Sequence, residues 1–373
     1  MTDVVGASAT GDGLARRRRR CWVRGVALGA GVLLVGAVGG GWALYAKLSH
    51  NITADEAAEA ELARYERERP TALVRDAQNI LLIGSDTRAG NGNGRYGKDS
   101  GTQRSDTTIL LHLARDRRSA TAVSLPRDLM VHVPGCLRAD GRRSEPSFTL
   151  FNSAFEVGGS ACTIRTVEKL TNIRIDHHVV VDFSGFKNVV DAVDGVQVCL
   201  KKPIDDKAAK LRLPAGRVTL DGEQALGYVR ARKSLGDGSD TGRMERQQQF
   251  LGALVNKVRS SDVLLNPAKL YPLLDAATSA LTTDPELASL RGLYQLVRGI
   301  REIPTDQVQF LTVPREPYVY DSNRDQLVTG RADALFALLR ADRPVRIAKK
   351  NASSENSSTP TFRGKTAAED SCA

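Results

Sequence analysis

Arginines and aspartates crowd the places where apolar runs of this chain give way to polar sequence. Asn79-Ile-Leu-Leu-Ile83 runs into Gly84-Ser-Asp86-Thr-Arg88. Arg104-Ser-Asp106 precedes Thr107 to Leu113, and Ala120 to Leu125 ends in Pro126-Arg127-Asp128. Tyr228-Val-Arg230-Ala-Arg232 reads as a strand, whose alternation would set Arg230 and Arg232 on one face. Over Arg243 to Val258, helical spacing gathers Phe250, Leu251, Leu254 and Val258 into an apolar stripe. Arg243 and Gln247 fall within that stripe, and Arg246 lies at its edge. A buried arginine needs an anionic partner. Asp86, Asp106 and Asp128 can satisfy some of these guanidinium groups, but not all, so a shared anion is expected. Guanidinium forks match phosphate oxygens, and a helix start favours an anion. Mg²⁺ (or Mn²⁺) is usually held by one or two carboxylates plus phosphate oxygens. Asp86 and Asp106 fit that role. Arg88, Arg104, Arg127, Arg230, Arg232, Arg243, Arg246 and Gln247 fit a diphosphate. Phosphoryl transfer asks mainly for positioning and charge stabilisation.

Other chemistries have less to build on. There is no GxSxG, no GxxxxGK[ST] and no HExxH. His177-His178 lacks a cluster of further metal ligands around it in sequence. Asp237-Gly-Ser-Asp240 lacks a full EF-hand loop and reads as a flexible rim.

These residues must be held at strand ends. Strands are expected at Asn79–Ile83, Thr107–Leu113, Ala120–Leu125, Val179–Phe183, Val196–Leu200 and Val308–Val313. Helices are expected within Ser153–Leu170 and over Phe186–Ala192, Arg243–Val258, Glu286–Ile300 and Ala332–Leu339. The fold class is α/β, a central mixed β-sheet flanked by helices. Open sheets of this kind bind ligands beyond their strand ends.

The chain has 373 residues, a formal net charge of +10, 41% hydrophobic residues and five cysteines. Wholesale disorder, a disulfide-dense miniprotein and a polytopic membrane protein are excluded. Residues 1–24 form a basic tail. Residues 25–46 carry no charge and are long enough to span a bilayer. Arg16 to Arg20 before them predicts a cytoplasmic N-terminus and an extracytoplasmic body in a single-pass membrane protein. A solvated helical stalk is expected at 47–75, a catalytic domain at 76–261, a C-terminal extension packed on it at 262–346, and a disordered tail at 347–373. Cys136 and Cys162 are expected to pair outside the cell. Cys199 ends a strand and reads as a buried thiol. So short a cytoplasmic segment leaves no room for a DNA-binding domain, so nucleic acid is not an expected partner.

Together these motifs resemble the LytR-CpsA-Psr family of cell-wall glycopolymer ligases. The resemblance also rests on Phe151-Asn-Ser-Ala-Phe155 with Gly158-Gly159, Asp182-Phe-Ser-Gly-Phe186, Asp191-Ala-Val-Asp-Gly195, Leu220-Asp-Gly-Glu-Gln-Ala-Leu226 and Gly242-Arg-Met-Glu-Arg-Gln-Gln248. It spans residues 79–258. It implies a phosphotransferase that takes a glycopolymer from a polyprenyl-diphosphate carrier and joins it to a peptidoglycan hydroxyl through a phosphodiester, with Mg²⁺ on the diphosphate. The alternatives are a diphosphate hydrolase or a non-catalytic polyprenyl-phosphate binding protein. By position, Asp86 and Asp106 match the family's metal-site acids, and either would act as base towards the acceptor hydroxyl, Asp106 being favoured. Arg104, Arg127, Arg230, Arg232, Arg243 and Gln247 match its diphosphate-binding groups; Arg88 and Arg246 are added by proximity. The family's apolar lipid tunnel would be lined by the strands and the Phe250–Val258 stripe. Leu150 stands where many members have a lysine, and the loop between Asp86 and Asp106 is long. Tyr318, Asp321 and Arg324 are placed at the rim of the site.

Overall fold

In the computed structural model, residues 39–86, 105–206, 209, 211–231, 240–260, 267–348 and 360–369 are described. The chain divides into two compact units, residues 1–50 and 51–373. Of the first, residues 39–50 are helical and run on through Asn51 (α1, residues 39–51). Among the described residues no helix is long and apolar enough to cross a membrane. Most of the expected anchor, residues 25–38, lies outside the described residues.

The second unit opens with β1 (Thr53–Ala54) and α2 (Glu56–Arg64), then β2 (Gln78–Ser85), β3 (Ser105–Leu113), β4 (Ala120–Leu125) and the hairpin of β5 (Met130–Val133) with β6 (Ser147–Leu150). The long helix α3 (Ser153–Thr171) leads to β7 (His177–Val181) and α4 (Phe183–Ala192). A small lobe follows, of β8 (Val196–Leu200), β9 (Ile204–Asp206), β10 (Leu211–Leu213), β11 (Gly216–Leu220) and α5 (Gly222–Arg230). Helices α6 (Asp240–Ser260) and α7 (Pro267–Ala280) close that lobe. The chain continues through β12 (Leu281–Thr283), α8 (Leu290–Arg301), β13 (Val308–Thr312), β14 (Arg315–Tyr318), β15 (Asp321–Leu327), α9 (Thr329–Arg340), β16 (Arg346–Ala348) and β17 (Thr361–Thr366).

Nine strands form the main sheet in the order β1-β12-β7-β2-β3-β4-β13-β17-β16. Its centre is apolar on both sides, as the continuous runs require. The pleat sends Leu81, Ile83, Leu110, Val123 and Leu311 into one core with α2, α3 and α9. It sends Ile80, Ile109, Ala122 and Phe310 into another, against which Leu251 of α6 and Leu296 and Ile300 of α8 pack. A third cluster fills the small lobe around Val196, Val198, Leu220, Tyr228 and Phe250. The expected mixed sheet with flanking helices is therefore the architecture present.

Three boundary expectations need correction. The segment at 51–75 is no solvated stalk. β1 pairs with β12, and Ala58 and Leu62 enter the core one turn apart. The charges that suggested solvation are used internally: Arg69 pairs with buried Glu168 at 2.9 Å, and buried Glu61 with Arg143 at 3.1 Å. Asp55 caps α2 by accepting from Ala58 N. Residues 262–346 are not an extension laid on a finished domain, because β12 and β13 are strands of the sheet itself, β13 lying parallel to β4. The polar tail contains β17, which pairs antiparallel with β13 and buries Phe362.

Cys136 and Cys162 are joined by a disulfide where α3 breaks its helical path at Gly158 and Gly159. A Cβ on Gly158 would lie 2.9 Å from the Leu137 carbonyl and 3.0 Å from the Cβ of each cysteine. Only glycine leaves room for the bridge. Cys199 is disulfide-bonded too, which corrects its reading as a thiol. On β8 the pleat buries Val196, Val198 and Leu200 and turns Cys199 to the other face.

Candidate active site

Strand direction decides which side chains meet. β3 runs antiparallel to β2 and β4, while β7 is parallel to β2 and β13 parallel to β4. The end of β2, the start of β3 and the ends of β4, β7 and β13 therefore share one edge of the sheet. Asp86 follows β2 directly. An irregularity in the β2–β3 pairing sets Ser85 against Ser105 and Gly84 against Thr107. Asp106 is thus the extra residue of a bulge, a device that re-aims a side chain at a sheet rim. Arg127 lies in the turn after β4 and donates from Nη1 to Asp106 Oδ1 at 2.7 Å. Its Nε is 3.4 Å from Asp128 Oδ2. Both carboxylates and the guanidinium remain about a quarter exposed, so the group is open to a ligand.

Helix α6 delivers the second set. Buried Gln248 donates to Ser124 Oγ at 3.0 Å and to Thr312 Oγ1 at 3.1 Å. This bolts the middle of α6 across the last residues of β4 and β13. Arg243, only 4% exposed, lies on the preceding turns of the same helix. Gln247 donates to the Val229 carbonyl at 3.3 Å.

The reading of 228–232 as a strand is corrected. Residues 222–230 are α5, nucleated by a capping box in which Asp221 and Gln224 exchange hydrogen bonds. Its spacing, Asp-x-x-Gln, was visible in the sequence and outweighs a short run of alternating character. Arg230 ends that helix, and its guanidinium carbon sits 4.4 Å over the Phe183 ring, at the residue that starts α4 just beyond β7. Arg246 behaves differently. It donates to the Ala231 carbonyl, and its buried Nε has no hydrogen-bond partner among the described residues. Burial pulls its pKa down, and burial pushes neighbouring Tyr228 up to about 12. Arg246 thus braces α5 against α6. Arg88, Arg104 and Arg232 lie outside the described residues, as does the rim loop before Asp240.

The structure thus brings Asp106 and Arg127 into contact and places Asp86, Arg230, Arg243 and Gln247 on elements that meet the same edge. Sequence reasoning gave no role to Gln248, whose only signal was a polar residue two positions before the apolar Phe250. Among the described residues no group of three or more His, Cys, Asp or Glu gathers as a metal cage. His177 and His178 instead point to opposite faces of β7. His177 pairs with Asp284 at 3.2 Å and His178 with Asp55 at 3.2 Å. A separate cavity of about 300 Å³ lies at the other end of the sheet, where Gln78 and His177 begin their strands, beside Arg117 and Arg291.

A mixed sheet flanked by helices, with carboxylates and arginines at one edge, defines the class of this α/β protein. The LytR_cpsA_psr family model matches residues 46–339, and the chain belongs to that family. It is 37% identical over 266 residues to the cell wall biosynthesis protein LcpA of Corynebacterium glutamicum, covering 64% of this chain and 50% of LcpA. It is 30% identical over 326 residues to the Bacillus subtilis polyisoprenyl-teichoic acid–peptidoglycan teichoic acid transferase TagT, covering 84% of this chain and 93% of TagT. The chain spans about half the length of the curated relatives LcpA and LcpB. The solved structure of TagT bound to LI-WTA superposes with a TM-score of 0.54 at 25% identity, covering 74% of this chain and 96% of that one.

Proposed function

We propose that this chain is an extracytoplasmic phosphotransferase, anchored in the membrane by residues 25–46. It moves a glycopolymer from a polyprenyl-diphosphate carrier to a peptidoglycan hydroxyl. The observation that carries this reading is the shared sheet edge. There Arg127 grips Asp106 at 2.7 Å while Gln248 fastens the Arg243-bearing helix to the ends of β4 and β13. The transferase names of TagT and related proteins support it.

Arg127, Arg230, Arg243 and Gln247 would hold the diphosphate oxygens, and the helix start adds its own partial positive charge. The acceptor oxygen forms a new bond to the phosphorus that carries the glycopolymer. The bridging P–O bond breaks, and polyprenyl phosphate leaves with the electron pair. Asp106 takes the hydroxyl proton, its carboxylate being aimed by Arg127. Asp86 and Asp106 suit Mg²⁺ or Mn²⁺: hard oxygen donors on adjoining strands, too few for a cage and so completed by phosphate oxygens and water. Such an ion would neutralise charge on the diphosphate. The test is to incubate the full chain in detergent with Mg²⁺, a synthetic lipid-diphosphate oligosaccharide and peptidoglycan oligomers. A phosphodiester-linked product is expected. Release of the oligosaccharide phosphate to water alone would overturn the transferase reading in favour of hydrolysis.

A further inference from the structure

Two hairpins beside the candidate site expose aromatic rings. On β5–β6 the inner residues Val131 and Val133 are buried. The outer face carries His132 and Phe148, which are direct partners in the strand register, with ring centroids 4.9 Å apart. Phe148 lies 6.1 Å from Tyr318 of β14, and Tyr318 lies 5.4 Å from Tyr320 in the following turn. The four rings make one continuous row at the spacings that aromatic pairs adopt. The row is wet: Phe148 is 46% and Tyr320 86% exposed. Single exposed apolar residues are ordinary, but a contiguous exposed row marks an interaction surface.

The row is fastened to the reacting groups. Asp325 N–H donates to the Asp128 carbonyl at 3.1 Å, Leu129 bridges to Asp325, and the Asp325 carboxylate pairs with Arg315. Asp128 in turn flanks Arg127, which holds Asp106. The turn that carries Arg127 and Asp128 therefore leads directly into β5, the first strand of the platform.

Its chemistry selects the occupant. Flat rings offer π faces to the C–H faces of sugar rings. Beside them lie planar polar groups. Arg324 pairs with Asp321 at 2.9 Å, and Asn323 donates to the same carboxylate at 3.2 Å. These suit hydroxyl and acetamido groups. The basic groups beside the rings are already matched, Arg324 by Asp321 and Arg315 by Asp325, which suits the row poorly to an anionic lipid surface. Resting on the transferase reading above, we propose that His132, Phe148, Tyr318 and Tyr320 stack against the glycan strand of the peptidoglycan acceptor and lead its hydroxyl to Asp106.

The test measures binding directly and needs no turnover. The full chain in detergent is titrated with uncharged N-acetylglucosamine oligomers and sedimented with peptidoglycan sacculi stripped of attached polymer. Tyr320→Ser and Phe148→Ser are compared with Tyr320→Phe. Truncating an aromatic side chain that anchors a ligand costs more than about 1 kcal/mol, close to tenfold in affinity. The serine variants are therefore expected to lose about tenfold in glycan affinity and to raise the acceptor KM similarly. The Kd for a short-chain polyprenyl diphosphate stays unchanged, and Tyr320→Phe retains binding. Equal glycan affinity in wild type and serine variants, no glycan binding by the wild type, or a loss confined to anionic vesicles would each overturn the platform. Glycan binding that depends on Tyr320 in a protein that transfers nothing would uphold the platform and overturn the transferase.

Discussion

Replacing Arg127 by lysine preserves the charge and removes the fork, so it isolates geometry from electrostatics. The native guanidinium holds Asp106 at 2.7 Å and reaches towards Asp128 at 3.4 Å. One planar group thus faces two carboxylates, and on the proposed reading would also meet a phosphate. An ammonium on a flexible stem cannot keep those directions together. Hydrogen bonds to charged groups contribute roughly 1.5–3 kcal/mol. The three side chains are about a quarter exposed, so solvent screening favours the lower half of that range. A loss of about 1.5–2 kcal/mol corresponds to a Kd roughly 10–30-fold weaker. Isothermal titration with a short-chain polyprenyl diphosphate measures it. Unfolding by urea should move by about 1 kcal/mol or less, because the ion pair is partly solvated. Wild-type affinity in Arg127→Lys and Arg127→Ala alike would refute the placement of the diphosphate at this edge.

Asp106→Asn keeps the size of the side chain and removes the base. Diphosphate binding should persist within a few-fold, while transfer falls by about 100-fold or more, read in the reconstituted assay. Replacing Cys136 and Cys162 together by alanine releases a cross-link spanning 26 residues. Loop entropy then predicts a loss of about 3.5 kcal/mol in urea unfolding. Gly158→Ala should also destabilise the fold, with the disulfide intact, because a Cβ crowds both cysteines. Stability should depend on pH through β7. Burial alone would lower His177, but the Asp284 hydrogen bond and charge hold it above its ordinary 6.5. Burial would raise Asp284, but His177 and two backbone N–H groups hold it below 3.8. The histidine's contribution is complete below pH 6.5 and fades as pH rises through its raised value. The aspartate's contribution is complete above pH 3.8 and fades as pH falls through its lowered value. Asp284→Asn should therefore abolish the part of the alkaline loss that His177 causes, seen by comparing urea midpoints at pH 6 and pH 8.

The strands were legible where physics is local. Ala120–Leu125 and Val196–Leu200 carry their runs and their stops within themselves, and Arg127 and Asp128 sit at the first of those stops. Residues 228–232 misled because an alternating pattern five residues long is weaker than a capping box seven residues upstream. Arg246 lies at the edge of a helical stripe, and the sequence could not say that its partner would be the Ala231 carbonyl rather than a phosphate. The segment around Arg69 and the strand at Thr361–Thr366 looked solvated because composition registers charge and polarity, not pairing partners about 100 residues away or an open sheet edge. Gln248 was invisible for the same reason: its two hydroxyl partners come from β4 and β13, brought side by side only by the sheet.

The most direct measurement is a structure of the protein in complex with a short-chain polyprenyl diphosphate. Both phosphorus atoms are expected at the edge shared by β2, β3 and β4, with Arg127 and Arg243 in hydrogen-bonding reach and Asp106 facing the phosphorus that would carry the glycopolymer. Phosphates found instead in the cavity beside Arg117 and Arg291, at the opposite end of the same strands, would contradict this placement.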